Sequence, residues 1–157
     1  MDMQMPKPGA EHAWLARLAG QWVGQEHMAP SPWNPQPSDA TARVTSQMAL
    51  DGFWLVTDYE QRQNDRVTFR GHGLLGYDSI KGHYTMHWFD SMGMDPGAPA
   101  IGKVTGSTLE FAHETPWGKH RYVYTLESAD AYRFAVMMTQ DDGKTWQPMI
   151  EGKYRRA

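Results

Sequence analysis

Several features are missing from this 157-residue chain, and each absence excludes a class of protein. It has no cysteine, which excludes disulfides, thiolate catalysis and cysteine-ligated metals. No apolar stretch reaches the length of a signal peptide or a membrane span. The net charge is -3 without a run of like charges, so nothing marks a surface for nucleic acid or an anionic membrane. The expectation is a cytoplasmic protein that binds neither.

Helical signal is also scarce and is confined to the start of the chain. Residues 1–9 are predicted to form a disordered leader. Residues 10–18 are predicted to form a helix, because Trp14, Leu15 and Leu18 lie three and four positions apart on one apolar stripe. A chain of this length fits one domain, which we place at residues 10–157.

The rest of the sequence is a series of short alternating segments separated by turn signals. These segments predict ten strands, at residues 22–28, 40–50, 53–63, 67–77, 83–90, 100–105, 108–113, 119–127, 131–140 and 146–155. Most connections are too short for crossover helices, so consecutive strands must pair antiparallel. The longest connection is the proline-rich loop at residues 29–38. The twist of a long sheet and the cost of exposing unpaired edge strands favour an all-β, closed up-and-down barrel of about ten strands.

Six short motifs together carry a resemblance to a known family. They are Pro6–Leu15, Gly20–Gly24, Gly73–Asp78, Trp88–Met92, Asp142–Trp146 and Gly152–Arg156. With them the chain resembles a bacterial family known as domain of unknown function 1579, whose fold is placed near the calycins, the lipocalins and fatty-acid-binding proteins. The resemblance implies a calycin-like barrel and supplies no established activity, so it assigns no catalytic residue.

The Gly-x-Trp-x-Gly element at Gly20–Gly24 is also similar to the signature of the first calycin strand. In that signature the tryptophan, here Trp22, usually closes the bottom of the barrel. The opposite mouth is then expected between the loop that carries Trp33 and the segment Met92–Gly97. This mouth is where a ligand would enter.

A barrel of this size is either filled by side chains or open to one small ligand. The density of aromatic residues favours binding of a small, largely apolar or amphipathic molecule, with an anionic or hydrogen-bonding head. The expected aromatic lining consists of Trp54, Tyr59, Trp88, Trp117, Tyr122 and Tyr124. The expected polar anchor is Arg121, whose guanidinium suits an anion, or one of the histidines His72 and His87.

Strand geometry indicates which histidines can act together. His83 and His87 have the spacing of helical zinc ligands, but on a strand they start about 13 Å apart, too far to share one zinc ion. His72 and His87 fall on neighbouring strands, and pairing of Asp78 with His83 would put them on one face as diagonal neighbours. The other face of this hairpin is more apolar, which favours an outward position for both histidines.

Three other functions remain open from the sequence. Haem-binding, nitrobindin-like barrels also open with a Gly-x-Trp-x-Gly element and hold iron through one histidine, for which His87 is the candidate. An isomerase or hydrolase could use Asp58 or Glu60 as a base, although no nucleophile, oxyanion motif or metal set accompanies them. A filled barrel could serve as a structural or interaction domain. We therefore predict no catalytic residue, metal or cofactor, and the sequence does not indicate whether the protein is a homo-oligomer.

Overall fold

The computed structural model describes residues 3–157, which form one short helix and ten strands. The elements are α1 Ala10–Ala16, β1 Gly20–Met28, β2 Ser38–Ala49, β3 Trp54–Gln63, β4 Arg66–Asp78, β5 His83–Asp90, β6 Ala100–Thr105, β7 Thr108–Thr115, β8 Gly118–Ser128, β9 Ala131–Thr139 and β10 Gln147–Arg156. Residues 3–9 contain no helix or strand. Residues 1 and 2, part of the predicted leader, lie outside the described residues.

The ten strands form one closed antiparallel barrel. Each strand pairs with its neighbours in the chain, and β1 also pairs with β10, so no sheet edge is left open. The predicted barrel with one short helix is confirmed. The helix ends at Ala16, two residues earlier than predicted, because the chain tightens there and the Leu18 N–H donates to the Leu15 carbonyl. Within the described residues no helix has the length and apolar character needed to cross a bilayer.

Turn chemistry fixes the pairing of the strands. Asn64 and Asp65 both have positive φ angles, 50° and 60°, as a two-residue hairpin turn of the primed type requires. Between β4 and β5 the N–H of Gly82 donates to the Asp78 carbonyl over 2.7 Å, and Asp78 pairs with His83. This is the register on which the predicted placement of the neighbouring histidines depends.

One end of the barrel is sealed around Trp22, whose side chain is 1% exposed. Its indole N–H donates to the Leu18 carbonyl over 3.0 Å, and its ring meets Tyr132 edge to face at 4.7 Å. The guanidinium of Arg156 lies over the same ring. Leu15 is fully buried with this group, so the helix side of the barrel is the closed end, where Trp22 was expected.

Glycines make room for large rings inside the barrel. A Cβ atom on Gly71 would collide with the indole of Trp88, and one on Gly24 would collide with the ring of Tyr154. Both rings therefore lie against bare backbone of a neighbouring strand.

Candidate functional site

Five connections form the end of the barrel opposite α1, which we call the mouth. They span residues 29–37, 64–65, 91–99, 116–117 and 140–146. Trp33 and Trp117 meet edge to face here, with ring centroids 5.9 Å apart, and both are well exposed, at 66% and 46%. The proline-rich loop thus contacts the β7–β8 hairpin at the rim of the mouth.

Below this rim the inward-facing side chains keep accessible surface. We call the interior region that they line the cup, and its half-buried side chains are Met28, Tyr59, Phe69, Trp88, Tyr122, Tyr124, Phe134, Val136, Met138 and Ile150. Burial raises the pKa of Tyr122 to about 12 and also raises that of Tyr124. Both side chains are half-buried, so they keep some contact with solvent. Fully buried side chains such as Phe111 and Tyr132 close the floor.

Glu26 lies at the floor of the cup and is 3% exposed. The Tyr154 hydroxyl donates to its Oε2 over 2.8 Å, and the Tyr59 hydroxyl donates to its Oε1. The Gln61 amide donates to the Tyr59 oxygen over 3.1 Å and extends the network. These contacts satisfy the carboxyl group with hydroxyl donors and leave it without a positive partner.

The charge of Glu26 is set by its surroundings. Burial raises the pKa of its carboxyl group, and the hydrogen bonds from Tyr59 and Tyr154 oppose that rise. All lysines and arginines are exposed except Arg62, which is half-buried and pairs with Glu60. Among residues 3–157, Glu26 is therefore a buried carboxyl group without a buried cation.

Sequence reasoning missed Glu26, although the signal was present. The sequence places Trp22 and Gly24 at the start of the first strand, and strand alternation places Glu26 on the same inward face. The missing information was the partner, because Tyr154 comes from β10 at the other end of the chain. Alternation alone shows that the Glu26 carboxyl group points inward. Only the pairing of β1 with β10 shows that this group accepts a hydrogen bond from Tyr154.

A second polar group lies nearer the rim. The indole N–H of Trp88 donates to Asp90 over 3.2 Å, and the Asp90 charge adds to the rise in the pKa of Tyr122. His113 and His120 pair across β7 and β8 on the inward face, where the His120 ring stacks on Tyr122 at 6.2 Å. Burial lowers the pKa of His120, so its imidazole is held neutral at the mouth.

The structure brings together only part of the predicted lining. Tyr59, Trp88, Tyr122 and Tyr124 face into the cup, and Trp117 lies at the rim. Trp54 does not line the interior as expected. It lies on the outer face, where its indole covers Gly76 and its ring centroid is 6.2 Å from that of His87, because Leu55 and Thr57 take the inward positions of β3.

The three predicted polar anchors also lie outside. His72 pairs with Phe89, as the expected register requires, and its Nδ1 is 2.7 Å from Asp58. His87 is beside Trp54. Arg121 lies 3.1 Å from Glu110 through its Nε, and its guanidinium is over the ring of Trp146. Alternation turns these side chains away from the cup, so none of them can hold an anionic head there.

The alternative sites are placed on the outer face as well. Asp58 pairs with His72 and Glu60 with Arg62, so neither carboxylate reaches the cup. His87 cannot ligate an iron atom inside the barrel from its outward position. In the described part of the chain no group of three or more histidine, aspartate or glutamate side chains could hold a metal ion.

The closed ten-strand barrel with one sealed end has the form of a calycin-like barrel. The chain belongs to the DUF1579 family, described as a protein of unknown function, whose model matches residues 7–156. No curated protein matches the sequence.

Two solved structures share the fold. Rv2717c from M. tuberculosis is 16% identical with a TM-score of 0.70, and the match covers 95% of this chain and 98% of that one. The S-type phycobiliprotein lyase CPES from Guillardia theta is 9% identical with a TM-score of 0.68, and the match covers 96% of this chain and 93% of that one. At these identities the two structures support the fold alone.

Proposed function

We propose that this barrel binds one small, largely apolar molecule in the cup. The observation that carries the proposal is the lining itself. Inward-facing rings such as Tyr124 and Phe134 keep accessible surface in the middle of the molecule, whereas the opposite end is closed by Trp22 and Tyr132. A concave, mostly apolar site with a few polar groups is the usual form of a small-molecule pocket.

The polar groups of the cup are arranged to orient such a molecule. Glu26 and Tyr59 lie at the floor, and Asp90 lies near the rim. The rim carries exposed apolar side chains, Trp33, Met92, Met94 and Trp117, which would contact an apolar ligand as it enters. A phycobiliprotein lyase shares this barrel, which supports testing the protein against small molecules.

Binding can be tested with N-phenyl-1-naphthylamine, a neutral apolar probe whose fluorescence rises in apolar surroundings. We expect one probe per barrel, confirmed by native mass spectrometry, which would also identify any molecule that co-purifies. Val136→Phe places extra volume in the cup and should weaken binding by about ten-fold or more through overpacking. Val23→Phe is the matched control, because Val23 lies on the outer face and is already exposed.

Failure of the probe to bind the wild-type protein would overturn the proposal. It would favour a filled barrel that serves as a structural or interaction domain. Equal binding by Val136→Phe and the wild type would place the probe outside the cup. A co-purifying haem mass would support a haem protein instead, with its iron ligand sought among side chains other than His87.

A further inference from the structure

We propose that the molecule held in the cup is an organic cation, an amine or quaternary ammonium group carried on an apolar body. The inference rests on the proposed function, since it names the chemical class that the same cup takes. It stands on the sign of the charges inside the barrel, on the position of every basic side chain, and on the aromatic walls.

The acidic side chains that face the cup have no basic partner inside the barrel. The Glu26 carboxyl group lies at the floor and Asp90 lies beside the indole of Trp88. Burial lowers the pKa of His120 at the mouth, so its imidazole adds no positive charge at neutral pH. A ligand cation would supply the positive charge that the described side chains do not place inside the barrel.

The basic side chains that could hold an anion are directed elsewhere. Arg121 is paired with Glu110 on the outer face, and Arg62 is paired with Glu60. Arg156 lies over Trp22 at the closed end, outside the cup. A carboxylate ligand would therefore bring a second negative charge close to Glu26 in a medium of low dielectric, where like charges repel strongly.

Two of the aromatic side chains that line the cup present ring faces, because their hydrogen-bond donors already have partners. The donors of Tyr59 and Trp88 are occupied by Glu26 and Asp90. Their rings lie 6.1 Å apart at an angle of 60°. An aromatic face carries partial negative charge and attracts a cation placed over it. The Tyr59 ring is one hydrogen-bonded hydroxyl away from Glu26, so an ammonium group over this ring would lie near the carboxyl group.

The test is displacement of N-phenyl-1-naphthylamine by three compounds with the same alkyl chain and different heads. Dodecyltrimethylammonium, dodecanol and dodecanoate are compared below their micelle concentrations at neutral pH. We expect the ammonium compound to displace the probe at a concentration at least about ten-fold lower than dodecanoate, with dodecanol between them. Displacement by dodecanoate at an equal or lower concentration would overturn the inference.

Substitution of Glu26 tests whether this residue causes the preference for ammonium over carboxylate. Glu26→Gln keeps the size and hydrogen-bonding capacity of the side chain, and it should reduce the preference for ammonium over carboxylate to within about three-fold. Glu60→Gln on the outer face should leave the preference unchanged. An unchanged preference in Glu26→Gln would overturn the role of the floor carboxyl group. Should Glu26→Gln not fold, Asp90→Asn must reduce the preference for the inference to stand.

The two proposals fail differently. Probe binding without a preference for ammonium overturns the choice of ligand class and leaves the binding function intact. Failure of the probe and of all three compounds to bind overturns the binding function, and the ligand class with it.

Discussion

The guanidinium carbon of Arg156 lies 4.3 Å from the centroid of the Trp22 ring. The same guanidinium donates through Nη1 to the Ala19 carbonyl over 2.9 Å and through Nε to the Ala129 carbonyl over 2.8 Å. One residue at the end of β10 thereby joins the start of β1 to the β8–β9 turn. The Arg156 guanidinium therefore stabilises the closed end by stacking on the Trp22 indole, which packs on the buried ring of Tyr132.

Replacing Trp22 should open the closed end. We expect Trp22→Ala to lower the free energy of unfolding by about 3–5 kcal/mol, because it removes a buried ring and leaves a cavity. The measurement is urea unfolding followed by circular dichroism. Trp33→Ala is the matched control, and since Trp33 is 66% exposed its effect should stay within about 0.5 kcal/mol. Similar losses in the two variants would contradict the role given to Trp22.

Glu26 should make stability depend on pH in a predictable direction. Burial raises the pKa of Glu26 in the folded protein above its ordinary value, so the folded state binds the proton more tightly than the unfolded chain. The stability contributed by the protonated group is full below the ordinary pKa and is lost as the pH rises through the folded pKa.

The comparison that isolates this effect is wild type against Glu26→Gln, which cannot titrate. We expect the free energy of unfolding of the wild type, minus that of Glu26→Gln, to fall as the pH rises from about 4 to about 8. Urea unfolding of both proteins at each pH gives the difference. A difference that grows with pH would mean that the ionised carboxylate is the form stabilised by the Tyr59 and Tyr154 hydroxyls.

Gly71 should not tolerate a side chain while Trp88 is present. We expect Gly71→Ala to cost about 1–3 kcal/mol of unfolding free energy, because the new methyl group would collide with the Trp88 indole. In a Trp88→Leu background the same substitution should cost less, since the opposing ring is gone. Urea unfolding of the four proteins gives the coupling free energy between the two positions. A cost that is equal in both backgrounds would refute the contact.

The fold could be read from the sequence because its signals are local. Alternation defined all ten strands, and turn residues such as Asn64-Asp65 marked their ends. The site could be read only in part. Trp54 was expected inside on residue type, but the groove left by Gly76 on the neighbouring strand buries its ring on the outer face. The chemistry of Arg121 likewise suits an anion, whereas alternation turns it outward between the inward His120 and Tyr122.

The pairing of β1 with β10 also constrains how this protein can fold. The hydrogen bond from Tyr154 to Glu26 joins residues 128 positions apart in the chain, so it forms only after a long loop has closed. A chain emerging from the ribosome would present nine strands with an exposed edge before the tenth could complete the ring. We expect folding dominated by such distant pairings to be slow.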